Sequence, residues 1–196
     1  MQEITSLINL ELKGEKVDIK ETLRRLKPHV DADTIALAQV DPVVGDIEYN
    51  FNKAKTYIKW ANELKIGAIV FPELFLVGYP VFDMLDRYPN IVEKNVEYLE
   101  KLAKLTTDTK VLIGFCEFNR LYVGKRYFNS VAVLSNKKIE KIIRKTLLPV
   151  YSEFNDGRYF QSAEFNPKDR IIQIGSQKAG IVICEENWAD KDFFDI

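Results

Sequence analysis

The sequence is poor in several groups that usually announce a function. It has two cysteines, Cys116 and Cys184, and one histidine, His29. Two cysteines are too few for a disulfide framework and fit a reducing cytosol, so a cytoplasmic protein is expected. One histidine and no CxxC pair exclude a His-rich or zinc-finger type metal cluster. Neither sign of charge dominates, with 28 Lys and Arg against 29 Asp and Glu. That balance argues against nucleic acid and anionic membranes as partners. No apolar run reaches the length of a membrane span. The start, Met1-Gln2-Glu3-Ile4-Thr5-Ser6, lacks the basic and apolar stretches of a secretory signal.

What is present is an ordinary globular composition over 196 residues, 46% hydrophobic and 29% charged. Residues 1–33 are polar and read as an N-terminal extension. Within them Asp18 and Glu21 resemble a capping box, with Val17 as a staple, for a short helix to about Leu26 that Pro28 ends. The main domain spans 34–196. Ile35–Val40 and Ala68–Phe71 are short apolar runs expected as buried strands. Between them Phe51, Ala54, Ile58, Ala61 and Leu64 have helical spacing, and Gly67 is the expected stop. A strand, a crossover helix and a strand imply a parallel pair. A second helix is expected near 90–106, then a strand at 111–115. A hairpin at 130–134 and 139–143 follows, with the polar turn Ser135-Asn136-Lys137-Lys138. Residues 146–169 read as a long loop, ordered by its aromatic residues. Strands are expected at 171–174 and 180–184.

Three reactive side chains fall at three expected strand ends: Glu73, Lys145 and Cys184. Sites of α/β proteins are built there. Taken singly, Cys184 reads as a buried thiol, Glu73 as a turn residue and Lys145 as a surface charge. Together they supply a nucleophile, a base and a cation for an oxyanion. The backbone N–H of Glu185 is a second candidate oxyanion donor. Cys116 reads as core and His29 as an exposed residue of the extension.

The segments Val70-Phe71-Pro72-Glu73-Leu74, Arg144-Lys145-Thr146-Leu147-Leu148-Pro149 and Val182-Ile183-Cys184-Glu185 resemble the Glu-Lys-Cys motifs of the nitrilase superfamily of carbon–nitrogen hydrolases. With Gly78-Tyr79-Pro80, Arg158-Tyr159-Phe160 and Trp188, they are most similar to the glutamine amidotransferase domain of glutamine-dependent NAD synthetases. The resemblance covers about residues 34–190. It implies an α/β fold, a nitrilase-like αββα sandwich, here C-terminally incomplete because the family domain continues past Ile196. Exposed apolar surface and open strand edges are expected in consequence. The resemblance implies catalytic roles for Glu73, Lys145 and Cys184, and substrate contacts from Tyr79, Tyr151, Asp156, Arg158 and Glu185. Asp156 stands where the family carries a glutamate, and its shorter side chain is expected to fall short of Lys145. Phe82, Val150 and Cys116 also depart from the family pattern.

The implied reaction converts glutamine to glutamate and ammonia. No cofactor is implied in this chain, since ATP and deamido-NAD act only through a synthetase domain that the sequence lacks. Expected partners are glutamine or another small amide, and a synthetase domain or a second copy of the chain. Two other functions stay open on the sequence: a stand-alone amidase for another small amide, and an inactive remnant serving as an interaction module.

Overall fold

A computed structural model describes residues 18–189 apart from Pro89 and Tyr122. The staple expected at Val17 and the segment up to Ile196 lie outside the described residues. Helix α1 (Ile19–Leu26) starts at Asp18, whose side chain accepts from the N–H groups of Lys20 and Glu21. Glu21 does not reciprocate in a capping box. It binds Arg24 and Arg25 instead, and these bonds lower its pKa to about 2.

Strands β1 (Ile35–Leu37), β2 (Ala68–Val70), β3 (Lys110–Phe118), β4 (Tyr127–Ser135) and β5 (Lys138–Arg144) form one sheet in chain order. The first three are parallel and the last two antiparallel. The crossovers are α2 (Ile47–Leu64) and, after the short α3 (Asp83–Arg87), α4 (Ile91–Ala103). Asp46 caps α2 by accepting from the N–H of Tyr49. Ala54, Ile58 and Ala61 of α2 and Leu99 and Leu102 of α4 pack on Ile69, Val111, Ile113 and Leu134 of the sheet. Burying each large aliphatic side chain of this kind contributes roughly 1.5–3 kcal/mol. Helix α4 ends at Ala103, three residues earlier than its apolar spacing suggests, and Leu105 is exposed.

Two glycines place the chain by close approach. Gly67 was expected to stop α2, but the left-handed cap is Lys65, with φ 55°. A Cβ at Gly67 would lie 2.0 Å from the carbonyl oxygen of Ala32, so Gly67 admits the strand to its place beside the incoming loop. A Cβ at Gly114 would lie 2.2 Å from the N of Leu74. Only glycine lets the turn after β2 rest on β3. The β4–β5 turn is the two-residue type with both central residues left-handed, Asn136 (φ 49°) and Lys137 (φ 62°).

On the other face lies a two-stranded sheet, β6 (Ile171–Ile174) and β7 (Gln177–Gly180). Its Ile172 and Ile174, with Ile181 just beyond, pack on Ala68, Leu112, Val133 and Ile143. The strand expected at 180–184 is therefore displaced. The turn at Gly175-Ser176 is so short that pairing begins at Gln177 and is spent by Gly180. The N–H of Ile183 then goes to the Glu186 carboxylate rather than to a strand, and Cys184–Trp188 turns as a 3-10 helix. Asp33 holds the hairpin tip, accepting from the Ser176 hydroxyl at 2.9 Å.

Helices, a mixed sheet and a smaller sheet thus stack as three layers of a nitrilase-like sandwich. Helix α1 packs against α2, and no described helix forms a fourth layer beyond β6–β7. Edge strand β1 leaves Ile35 and Leu37 exposed. No described helix is long and apolar enough to cross a membrane.

Candidate active site

Glu73 lies in the turn that leaves β2. The N–H of Phe71 still donates to Leu112, and Leu74 (φ 49°) bends the chain over Gly114. Lys145 is the residue after β5, held by its own N–H to the carbonyl of Asn129 at 2.8 Å. Its side chain is 1% exposed, which overturns the surface reading. Its Nζ donates to Glu73 Oε1 at 2.7 Å and to Asp156 Oδ2 at 2.9 Å. Burial opposes the lysine charge, but the two carboxylates outweigh it and hold the pKa above its ordinary value.

Asp156 therefore does reach Lys145. The loop 146–169 is not wholly irregular: Asp156–Tyr159 form a short helix, α5. The N–H of Asp156 donates to Pro149, and the residue is fully buried. This backbone placement makes up for the missing methylene. Its second oxygen accepts from the Tyr79 hydroxyl at 3.0 Å. Burial and the neighbouring Asp156 push the Tyr79 phenol well above its ordinary pKa.

Cys184 opens its 3-10 helix with φ 45°, a left-handed conformation rare outside glycine. It lies at the exposed mouth of the site, near enough to Glu73 for that carboxylate to act on its thiol. The adjacent backbone N–H of Glu185 weakly favours the charged sulfur. Partial burial raises the thiol pKa first, the Glu73 charge adds to that, and Lys145 opposes both. The resting sulfur is thus a thiol beside a carboxylate, with Lys145 as the positive side chain that favours its ionisation.

A buried ion pair fastens these parts together. Arg170 donates to both oxygens of Glu186, at 2.6 and 2.8 Å. It also donates to the carbonyl of Arg144 at 2.8 Å and to the Thr146 hydroxyl at 2.9 Å, on either side of Lys145. Glu186 in turn accepts from the N–H groups of Ile183 and Thr146, at 2.7 and 2.6 Å. One pair thereby sets the Cys184 turn against the Lys145 strand end.

Of the eight residues singled out in the sequence, the structure brings Glu73, Lys145, Cys184, Tyr79 and Asp156 into one cluster. Tyr151 and Glu185 join each other at the rim, at 2.8 Å. Arg158 is exposed, with its guanidinium 5.3 Å from the Tyr159 ring centre. With Phe82 and Phe154 it lines a cavity of about 620 Å³. Sequence reasoning missed Asn129, Arg170 and Glu186. The signal for Asn129 was a polar residue inside the apolar run of β4. Cys116 is core and His29 is exposed, both as expected. Among the described residues no group of His, Cys, Asp and Glu could hold a metal ion.

A mixed α/β sandwich with glutamate, lysine and cysteine on three neighbouring loops is the arrangement of the carbon–nitrogen hydrolases. That family matches residues 34–194, and the chain belongs to it. A glutamine-dependent NAD(+) synthetase of Thermotoga maritima is 35% identical over 156 residues, covering 79% of this chain and 26% of the relative. The structure of glutamine-dependent NAD+ synthetase from Acinetobacter baumannii superposes with a TM-score of 0.70 at 30% identity. That likeness covers 79% of this chain and 28% of the other. An amidase from Nesterenkonia sp. shares the fold, with a TM-score of 0.60 at 17% identity over 77% of this chain and 55% of the amidase. The chain thus spans little more than a quarter of the length of these synthetases.

Proposed function

We propose that the chain hydrolyses the side-chain amide of glutamine through a thioester on Cys184. The observation that carries this reading is the Glu73–Lys145 pair at 2.7 Å with the Cys184 thiol against the same carboxylate. Glu73 takes the thiol proton as sulfur attacks the carboxamide carbon. Lys145 and the N–H of Glu185 hold the developing oxyanion. The C–N bond breaks, Glu73 delivers its proton to the leaving nitrogen, and ammonia departs. Water, deprotonated by Glu73, then attacks the thioester and releases the acid with a regenerated thiol. Every proton and electron pair in this cycle is handled by Cys184, Glu73, Lys145 and water.

Glutamine is favoured over other amides because the relatives at 30–35% identity are named for their dependence on it. In this reading residues 1–33 are an extension to the 34–196 hydrolase domain, and the ammonia serves NAD synthesis on a synthetase partner. Ammonia release from glutamine and from a panel of small amides, with wild type and Cys184→Ala, tests the reading. Glutamine turnover lost in the variant supports it. Turnover of another amide alone makes the chain a different amidase. Absence of turnover and of acylation by a glutamine-like electrophile points to an inactive interaction module.

A further inference from the structure

We propose that Asn129 is a positioning residue for the Cys184 reaction, and that it dictates which oxygen of Glu73 exchanges protons with the thiol. The inference rests on the thioester chemistry proposed above. Asn129 sits within β4 and is 1% exposed. Its Nδ2 donates to Glu73 Oε1 at 2.6 Å. Its backbone carbonyl accepts the N–H of Lys145 at 2.8 Å. Lys145 Nζ donates to the same Oε1 at 2.7 Å. The same position in β4 thus meets Lys145 through its backbone and Glu73 through its side chain. Two donors occupy Oε1, and two are what its lone pairs accommodate. The other oxygen, Oε2, is left to take the thiol proton and to return it.

A second observation separates this role from simple packing. Asn129 Oδ1 is buried with no hydrogen-bond partner among the described residues. An unmatched buried acceptor destabilises a fold, and such groups in native proteins call for a functional explanation. A leucine, with the same branching but more bulk, would remove that acceptor. The amide is kept where it weakens the core and directs Glu73, as rule-breaking residues at functional sites do.

The charged and titratable groups that interact with the Cys184 thiol are Glu73, Lys145, Tyr79 and Tyr151, with Glu185 bonded to Tyr151. The Asn129 N–H draws the negative charge of Glu73 towards Oε1, away from sulfur. Its loss turns more of that charge on the thiol. The test is the pH profile of Cys184 alkylation by iodoacetamide on the full chain, read by peptide mass spectrometry so that Cys116 is counted apart. In Asn129→Leu the alkylation midpoint is expected to move up by about half to one pH unit. The kcat of any amide turned over should fall about tenfold, with KM within twofold. Asn129→Ala removes the same donor without adding bulk, so its midpoint should move in the same direction. It serves equally if the leucine variant does not fold. In a Glu73→Gln background, Asn129→Leu should add no shift, because the residue acts through the carboxylate. An unchanged midpoint in both Asn129 variants, or an equal shift without the Glu73 charge, overturns the proposal. The alkylation readout needs no substrate. A wild type that turns over no amide sinks the functional reading and leaves this one decided by the midpoints.

Discussion

The carboxylate of Asp156 meets the ammonium of Lys145 at 2.9 Å, and neither side chain is more than 1% exposed. With Glu73 on the other side, one buried cation is shared by two carboxylates. Lys145 is thereby fixed in place, and in the proposed mechanism its position decides where the oxyanion is held.

Removing the cation should be the most damaging change at the site. Lys145→Met leaves Asp156 buried without a counter-charge, which destabilises by about 3–5 kcal/mol. Denaturant unfolding measures this. Lys145→Met with Asp156→Asn should recover much of the stability and none of the activity.

Asp156 is matched to its site and is not a weakened glutamate. Asp156→Glu adds a methylene to a fully buried side chain whose two oxygens are already bonded, so a loss of roughly 1–3 kcal/mol is expected in the same measurement, with no gain in ammonia release. An active and equally stable glutamate variant would show that the short side chain is incidental.

Arg170 and Glu186 should behave as scaffold. Arg170→Met leaves Glu186 uncompensated and frees the Cys184 turn from the Lys145 strand end, at a stability loss of about 3–5 kcal/mol. A double replacement of both by apolar residues should restore part of the stability. The Cys184 alkylation profile should not return to that of the wild type, because the turn is no longer held.

The thiol pKa has a definite direction. Burial and the Glu73 charge raise it above its ordinary value of 9.0, so the thiolate appears only at higher pH than in a free thiol. Alkylation of Cys184 should therefore have its midpoint above 9.0. Glu73→Gln should lower that midpoint and Lys145→Met should raise it, since the first removes a negative neighbour and the second a positive one.

Much of this was readable in the sequence because it is local. The apolar runs at Ile35 and Ala68, the helical spacing from Phe51 to Leu64, and the segments around Glu73, Lys145 and Cys184 each depend on neighbouring residues. What escaped depends on distant ones. No spacing rule links Asn129 to Glu73, 56 positions away, or Arg170 to Glu186 rather than to solvent. The reach of Asp156 was misjudged from side-chain length, because a four-residue helix moves its backbone. The last strand was placed too late, because a two-residue turn at Gly175 set its register. Gly67 was read as a cap, although its need for glycine comes from the Ala32 backbone.

The account stands on Cys184 as a nucleophile activated by Glu73. The most direct test is mass spectrometry of the intact chain after rapid mixing with glutamine and acid quench, alongside ammonia release. A transient glutamyl adduct on the Cys184 peptide is expected, with ammonia released in step with it, and neither in Cys184→Ala. Ammonia release that survives in Cys184→Ala, or an adduct on any other residue, would contradict it.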